Sequence, residues 1–269
     1  MALRAQQPCA STSVAGLAVL LYLRQHAGMQ FTTSFFAVLI PAAVLAGVVR
    51  GFAGFGGPLT MLPALNAFMP TSAAILVMSW IDLVVNVQLL PRAARAAKAG
   101  VVVPLTAGAV LTMPIGVLLL LLVDAVIMKR ALSATILVAA LVLLSGWRYP
   151  GTIGRGGWVG VGALTGVVMG ATSLAITSAL FLHAGQQSAA ESRANFIVWV
   201  FLATIMLLVM LTIGSGFDAE LLPAIGLLAP FYIIGCVAGS YLTGRLPDAH
   251  VRTAVLLLIV LIAVVSLVL

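Results

Sequence analysis

The sequence predicts an all-α integral membrane protein built from two internal repeats, and three observations predict it. The chain of 269 residues is 63% hydrophobic and only 7% charged, with a mean hydropathy of +1.24, whereas soluble domains carry about 25% charged residues. Several apolar runs reach the roughly 20 residues that a helix needs to cross a bilayer. The chain also repeats itself at an offset of 119 residues: "LAGVVRG" at Leu45 to Gly51 returns as "LTGVVMG" at Leu164 to Gly170. The same offset pairs Trp80 with Trp199, Leu83 with Leu202, Pro104 with Pro223, and Ile115-Gly116 with Ile234-Gly235. Open sheets are excluded in lipid because their edge groups find no partner, and no dyad alternation suggests a barrel.

Residues 1–33 form an N-terminal segment. Its apolar run 12–23 follows Arg4 and resembles a signal-peptide core, but no small-x-small cleavage site follows, so we read it as a retained short helix. The first transmembrane repeat occupies 34–150. Helix a (34–49) is apolar up to Arg50. Helix b (58–69) starts at Pro58, which suits a first helical turn, and is too short to span. Helix c (72–90) ends before the basic loop of Arg92, Arg95 and Lys98. Helix d (101–122) carries Pro104 and Pro114, and helix e (131–147) closes the copy. The second repeat, 151–269, follows the same plan with a′ at 158–173, b′ at 175–186, c′ at 193–213, d′ at 221–243 and e′ at 252–269. Pro41, Pro223 and Pro230, like Pro104 and Pro114, are kinks rather than breaks, because neighbouring groups in a membrane take up freed carbonyls.

Orientation follows from charge. The c–d loop is basic and therefore cytoplasmic. The matching c′–d′ loop, "GSGFDAEL", has no Lys or Arg and carries Asp218 and Glu220, which places it outside. Equivalent loops on opposite sides require an odd number of crossings per copy, so we read the repeats as inverted, with five segments each. Arg4, Arg50, Arg92, Arg95, Lys98, Arg148, Arg155, Arg193, Arg245 and Arg252 then lie inside, and Arg24, Lys129 and Arg130 outside. If b and b′ are re-entrant, four crossings per copy make the repeats parallel. The formal charge of +7 is spread over helix ends, as orientation in a membrane requires, and does not point to nucleic acid. Cys9 and Cys236 form no motif, and His26, His183 and His250 are too dispersed for a metal site, so no metal or cofactor is expected.

The sharpest local signal is "RGFAGFGGPLTMLP", Arg50 to Pro63. Gly51, Gly54, Gly56 and Gly57 do not sustain a regular helix, and Pro58 opens a new one. The expectation is unwound backbone inside the membrane leading to a helix N-terminus, where free N–H groups and the helix dipole favour an anion. Arg50 beside it supplies a formal charge. The rival reading is close packing through small residues, with Arg50 reaching to the inner interface. The second copy places Thr172, Ser173, Thr177 and Ser178 here. Their hydroxyls either donate to an oxyanion or satisfy their own helix carbonyls.

Helix c carries Ser79, Asp82 and Asn86 on one face. An aspartate near mid-helix costs about 2.5–3.5 kcal/mol to insert, which leaves three readings: it couples transport to protons, it pairs with an arginine, or the helix boundaries are misplaced and it lies at the interface. Helix c′ has Val198, Phe201 and Ile205 at the matching positions, and Arg193 is read as a local partner of Glu191.

At these residues the chain resembles the sulfite exporter TauE/SafE family. The resemblance rests on "GFGGPLTMLP", on "AGVVVPLTAGAVLTMPIG" after the basic loop, and on "LLPAIGLLAPFYIIGCVAGSYLTGRLPDAHVRTAVLLLIVLIAV" in the second half, covering roughly 34–269. It implies a multi-pass transporter of the bacterial inner membrane for sulfite, sulfonates or related organic anions, with the family's break mapping onto Gly51, Gly54, Gly56, Gly57 and Pro58. The second copy departs from the pattern in lacking Gly-Gly-Pro at b′.

The functional expectation is a secondary transporter for a small anion. Arg50, Gly51, Gly54, Gly56, Gly57, Pro58, Asn86, Thr172, Ser173, Thr177 and Ser178 are the substrate-binding candidates, and Asp82 is the coupling candidate. Its partners are the anion, the bilayer, protons and a second copy in a homo-oligomer. No nucleotide-binding loop appears, and no nucleophile–base pair suggests an enzyme. An anion channel or a structural membrane subunit are the alternatives.

Overall fold

A computed structural model describes residues 33–54, 56–145, 151, 153–184, 188–215 and 219–242. The N-terminal run 12–23 and helix e′ lie outside the described residues. Among the described residues the chain is all-helical, with nine α-helices and no strand. They are α1 (Thr33–Ala53), α2 (Gly57–Asn66), α3 (Thr71–Ala96), α4 (Ala99–Leu122), α5 (Ala125–Leu144), α6 (Arg155–Thr172), α7 (Ile176–Ala184), α8 (Ala189–Ser215) and α9 (Leu222–Leu242), the last preceded by a short 3₁₀ turn at Ala219–Leu221. These are segments a to e and a′ to d′ in order. Among the described residues four stretches are long and apolar enough to cross a membrane: Thr71–Ala96, Ala99–Leu122, Ala190–Gly214 and Ala219–Leu242.

Several boundaries shift for local reasons. Helix α3 continues six residues past the expected end, carrying Pro91 inside it and Arg92 and Arg95 on its last turns. Basic side chains there complement the negative end of the helix dipole. Helix α8 starts earlier than expected because Ser188 accepts the backbone N–H of Glu191, three residues on, as an N-cap does. Helix α1 runs on through Gly51 to Ala53, so the break is confined to residues 54–56. Gly54 (φ +80°) and Gly56 (φ +95°) adopt the left-handed backbone that side chains disfavour.

Two helix pairs are locked through small residues. Helix α1 packs on α9, where Gly47 meets Tyr232 to Cys236 and Gly51 meets Cys236 to Ser240; both residue numbers rise together, so the pair is parallel. Helix α4 packs on α6 in the same sense, with Gly108 against Val159 to Ala163 and Gly116 against Val167 to Ala171. A β-carbon at Gly51 or Gly116 would overlap a backbone carbonyl of the neighbouring helix. Gly51, expected in the unwound break, is therefore a packing residue.

Between these pairs lie α3 and α8. Ala93 packs with Ala194 and Ile197, Lys98 N–H donates to Asn195 Oδ1 at 2.6 Å, and Ser79 shares a cavity with Val200 and Thr204. Rising numbers on one helix meet falling numbers on the other, so the two run antiparallel. The outer faces are apolar and exposed, as at Val103, Leu111 and Ile115 of α4 and Ile213 of α8. Such a surface suits lipid rather than water.

Candidate anion-binding site

The polar stripe on α3 meets Arg50 inside the bundle. Arg50 stands in the last turn of α1 and is only 3% exposed, while Asp82 is 5% and Asn86 0% exposed. Its Nη2 donates to Asn86 Oδ1 at 2.7 Å and reaches Asp82 Oδ2 at 3.4 Å. Asn86 Nδ2 donates to the same Asp82 oxygen at 3.1 Å. The other carboxylate oxygen accepts the Tyr232 hydroxyl from α9 at 3.3 Å. Of the three readings left open for Asp82, pairing with an arginine is seen directly. Arg50 does not reach to the interface: it is buried in a network drawn from three helices.

That network engages Nη2 of the guanidinium. Arg50 Nε is buried and has no hydrogen-bond partner among the described residues. A buried donor left unpaired is costly, by roughly 1–3 kcal/mol, so such an atom calls for an explanation.

Arg50 and Asp82 line a cavity of about 30 Å³ together with residues of both helix breaks. The first break contributes Gly56, Pro58 and Leu59; the second contributes Ser173, Leu174, Ala175 and Ile176. Helices α2 and α7 thus begin at the same cavity. Their first-turn N–H groups have no partner within the helix, and Gly56, the N-cap of α2, offers no side-chain cap. Ser79 and Ser173 hydroxyls meet at 3.2 Å at its wall, and Ser173 itself is left-handed (φ 58°), which ends α6. Phe196, Val200 and Thr204 of α8 close the remaining side. A volume of this size admits two or three waters, so entry of an oxyanion requires the surrounding side chains to give way.

The remaining candidates divide. Gly56, Pro58 and Ser173 line the cavity, and Asn86 sits behind it in the Arg50 network. Gly54 forms the turn, and Gly57 lies against the Tyr232 ring and hydroxyl, where a β-carbon has no room. Thr172 Oγ1 donates to Val168 O at 2.6 Å and Ser178 Oγ to Ala175 O at 2.8 Å, so both satisfy their own helices. Thr177 is half-buried and not part of the cavity wall.

Arg193 corrects another expectation. Glu191 pairs with Lys98 across the α3–α8 contact. Arg193 instead lies over Gly54 and reaches the Gly51 carbonyl at 3.5 Å, at the negative end of α1. The residue that sequence reasoning missed is Tyr232. Its signal was a phenol in the middle of a largely apolar helix, and a buried tyrosine hydroxyl usually finds a polar partner.

A family model described as Sulfite exporter TauE/SafE matches residues 39–266 of the chain. Neither a curated protein nor a solved structure gives a significant match.

Proposed function

The chain belongs to the sulfite exporter TauE/SafE family, and from that premise we propose that it is a secondary transporter moving sulfite, a sulfonate or a related small anion across the bacterial inner membrane. The observation that carries this reading is a buried arginine, with an unpartnered Nε, lining a cavity on which two helix N-termini converge. The guanidinium supplies charge and paired N–H donors suited to an oxyanion. The first turns of α2 and α7 add N–H groups and the positive ends of two dipoles. Ser79, Ser173 and Thr204 offer hydroxyls around the same space. Broken helices that aim N-termini at an anion inside a membrane are a recurring transporter device.

The packing supports two copies in inverted orientation, 34–150 and 151–269. At an offset of 119 residues α1 corresponds to α6 and α4 to α9, and the parallel pairs α1·α9 and α4·α6 exchange under that correspondence. Helices α3 and α8 also correspond, and they run antiparallel, as a two-fold axis in the membrane plane requires. Helix α2 packs on α1 and is ten residues long; with α1 and α2 paired on one side of the membrane, α3, α4 and α5 make an odd number of crossings and the repeats are still inverted. Asp82 is the group through which protons would act.

Reconstituted protein in liposomes tests the reading. Saturable uptake of labelled sulfite or small sulfonates, lost in Arg50→Ala, is the expected result. Flux that does not saturate would mark a channel, and correctly inserted protein that moves none of these anions would refute the proposal.

A further inference from the structure

We infer that the site takes a singly charged oxyanion or sulfonate together with one proton on Asp82, so that anion and proton cross in the same direction, one for one. The inference rests on the transport reading above and adds the charge class and the coupling. Of the residues lining the cavity, Arg50 and Asp82 are the charged ones, and they neutralise each other at 3.4 Å. Both are nearly fully buried. The unpartnered Nε of Arg50 offers a donor to an incoming anion, but that anion makes the cluster one charge negative in a low-dielectric surrounding. Two negative groups on one buried cation cannot both stay ionised cheaply, as with two carboxylates that share a site. A proton on Asp82 removes the excess. The protonated carboxyl keeps its neighbours, because Asn86 and Tyr232 are neutral partners that can reorient around it.

Among the described residues no other group near Asp82 takes that role. Helix α1 presents Arg50, which stays charged. Helix α9 presents Tyr232, whose phenol already donates to Asp82, and Cys236, a neutral thiol. On its own helix Asp82 has Ser79 and Asn86. Helix α2 carries no titratable side chain, α4 carries none, and α5 has Lys129 and Arg130 in its opening turns, half-buried and exposed respectively. Helix α8 contributes Thr204 at the cavity and Arg193 at the break, and the second break contributes Ser173. A singly charged anion then balances Arg50, whereas a doubly charged one would leave excess negative charge buried. Net direction follows the summed gradients of anion and proton.

Methanesulfonate is the probe, since it holds one negative charge throughout the neutral range and carries no proton itself. With the full chain in liposomes, an imposed methanesulfonate gradient without a pH gradient should drive protons the same way, one per anion. In detergent, methanesulfonate affinity should rise about tenfold per unit fall in pH, the slope for one linked proton. In Asp82→Asn that slope should flatten. Saturable methanesulfonate flux with no proton movement, or with pH-independent affinity in the unmodified protein, overturns the coupling but leaves the transporter. Sulfite flux without any methanesulfonate flux overturns the charge class. If neither anion crosses saturably, the transport reading falls, and the coupling with it.

Discussion

Replacing Arg50 with Gln isolates the energetics of the buried network. The substitution leaves the Asp82 carboxylate, 5% exposed, with two neutral donors: Asn86 Nδ2 at 3.1 Å and the Tyr232 hydroxyl at 3.3 Å. Breaking one side of a buried pair costs about 3–5 kcal/mol, because the surviving charge is uncompensated. Two remaining donors favour the lower end, about 3 kcal/mol. Asp82→Asn is the mirror case. It strands a guanidinium whose remaining contact is Asn86 Oδ1 at 2.7 Å, again at about 3 kcal/mol. The double variant Arg50→Gln/Asp82→Asn buries no charge and should be no less stable than either single one, which gives a coupling energy of about 3 kcal/mol. Unfolding by a denaturing detergent, followed through the fluorescence of the four tryptophans, measures all three. Losses that simply add to about 6 kcal/mol, with coupling below about 0.5 kcal/mol, would refute the network as a unit.

Other outcomes follow from the packing. Gly51→Leu and Gly116→Leu force side chains into backbone carbonyls of Cys236 and Val167 and should cost at least about 1–3 kcal/mol or abolish folding; Gly100→Leu, with open space around it, should change stability by under about 0.5 kcal/mol. Equal effects on monodisperse yield at all three positions would contradict the glycine-locked pairs. Tyr232→Phe removes one buried hydrogen bond and should cost about 1 kcal/mol in the same unfolding assay; no change would mean that the phenol does not hold Asp82. Asn195→Ala deprives the Lys98 N–H of its acceptor at 2.6 Å and should cost about 1–2 kcal/mol. Glu191→Gln, whose partner Lys98 is 62% exposed, should cost under about 1 kcal/mol. The reverse order would invert the argument.

Some of the site was legible because its cause is local. The turn at Gly54 and Gly56 announces itself, since positive φ selects glycine whatever the rest of the chain does. Asp82 announced itself as well, because a carboxylate in an apolar helix needs a reason to be there. Gly51 misled: in sequence it belongs to a glycine cluster, but its role is set by α9, whose backbone it touches. Thr172 and Ser178 looked like anion donors, yet each has a helix carbonyl within reach one turn back or less, and that nearer acceptor wins.

By itself the sequence determined the class of protein, the number and order of most helices, the break before Pro58 and the resemblance that named the family. Those properties follow from hydropathy, local backbone geometry and motif, all of which act over a few residues. The partner of Asp82 was decided only in three dimensions. Arg50 and Asp82 lie 32 positions apart and Tyr232 lies 150 beyond Asp82, so nothing local selects them. Burial does: a charge removed from water must find its counter-charge and donors wherever the packed helices bring them.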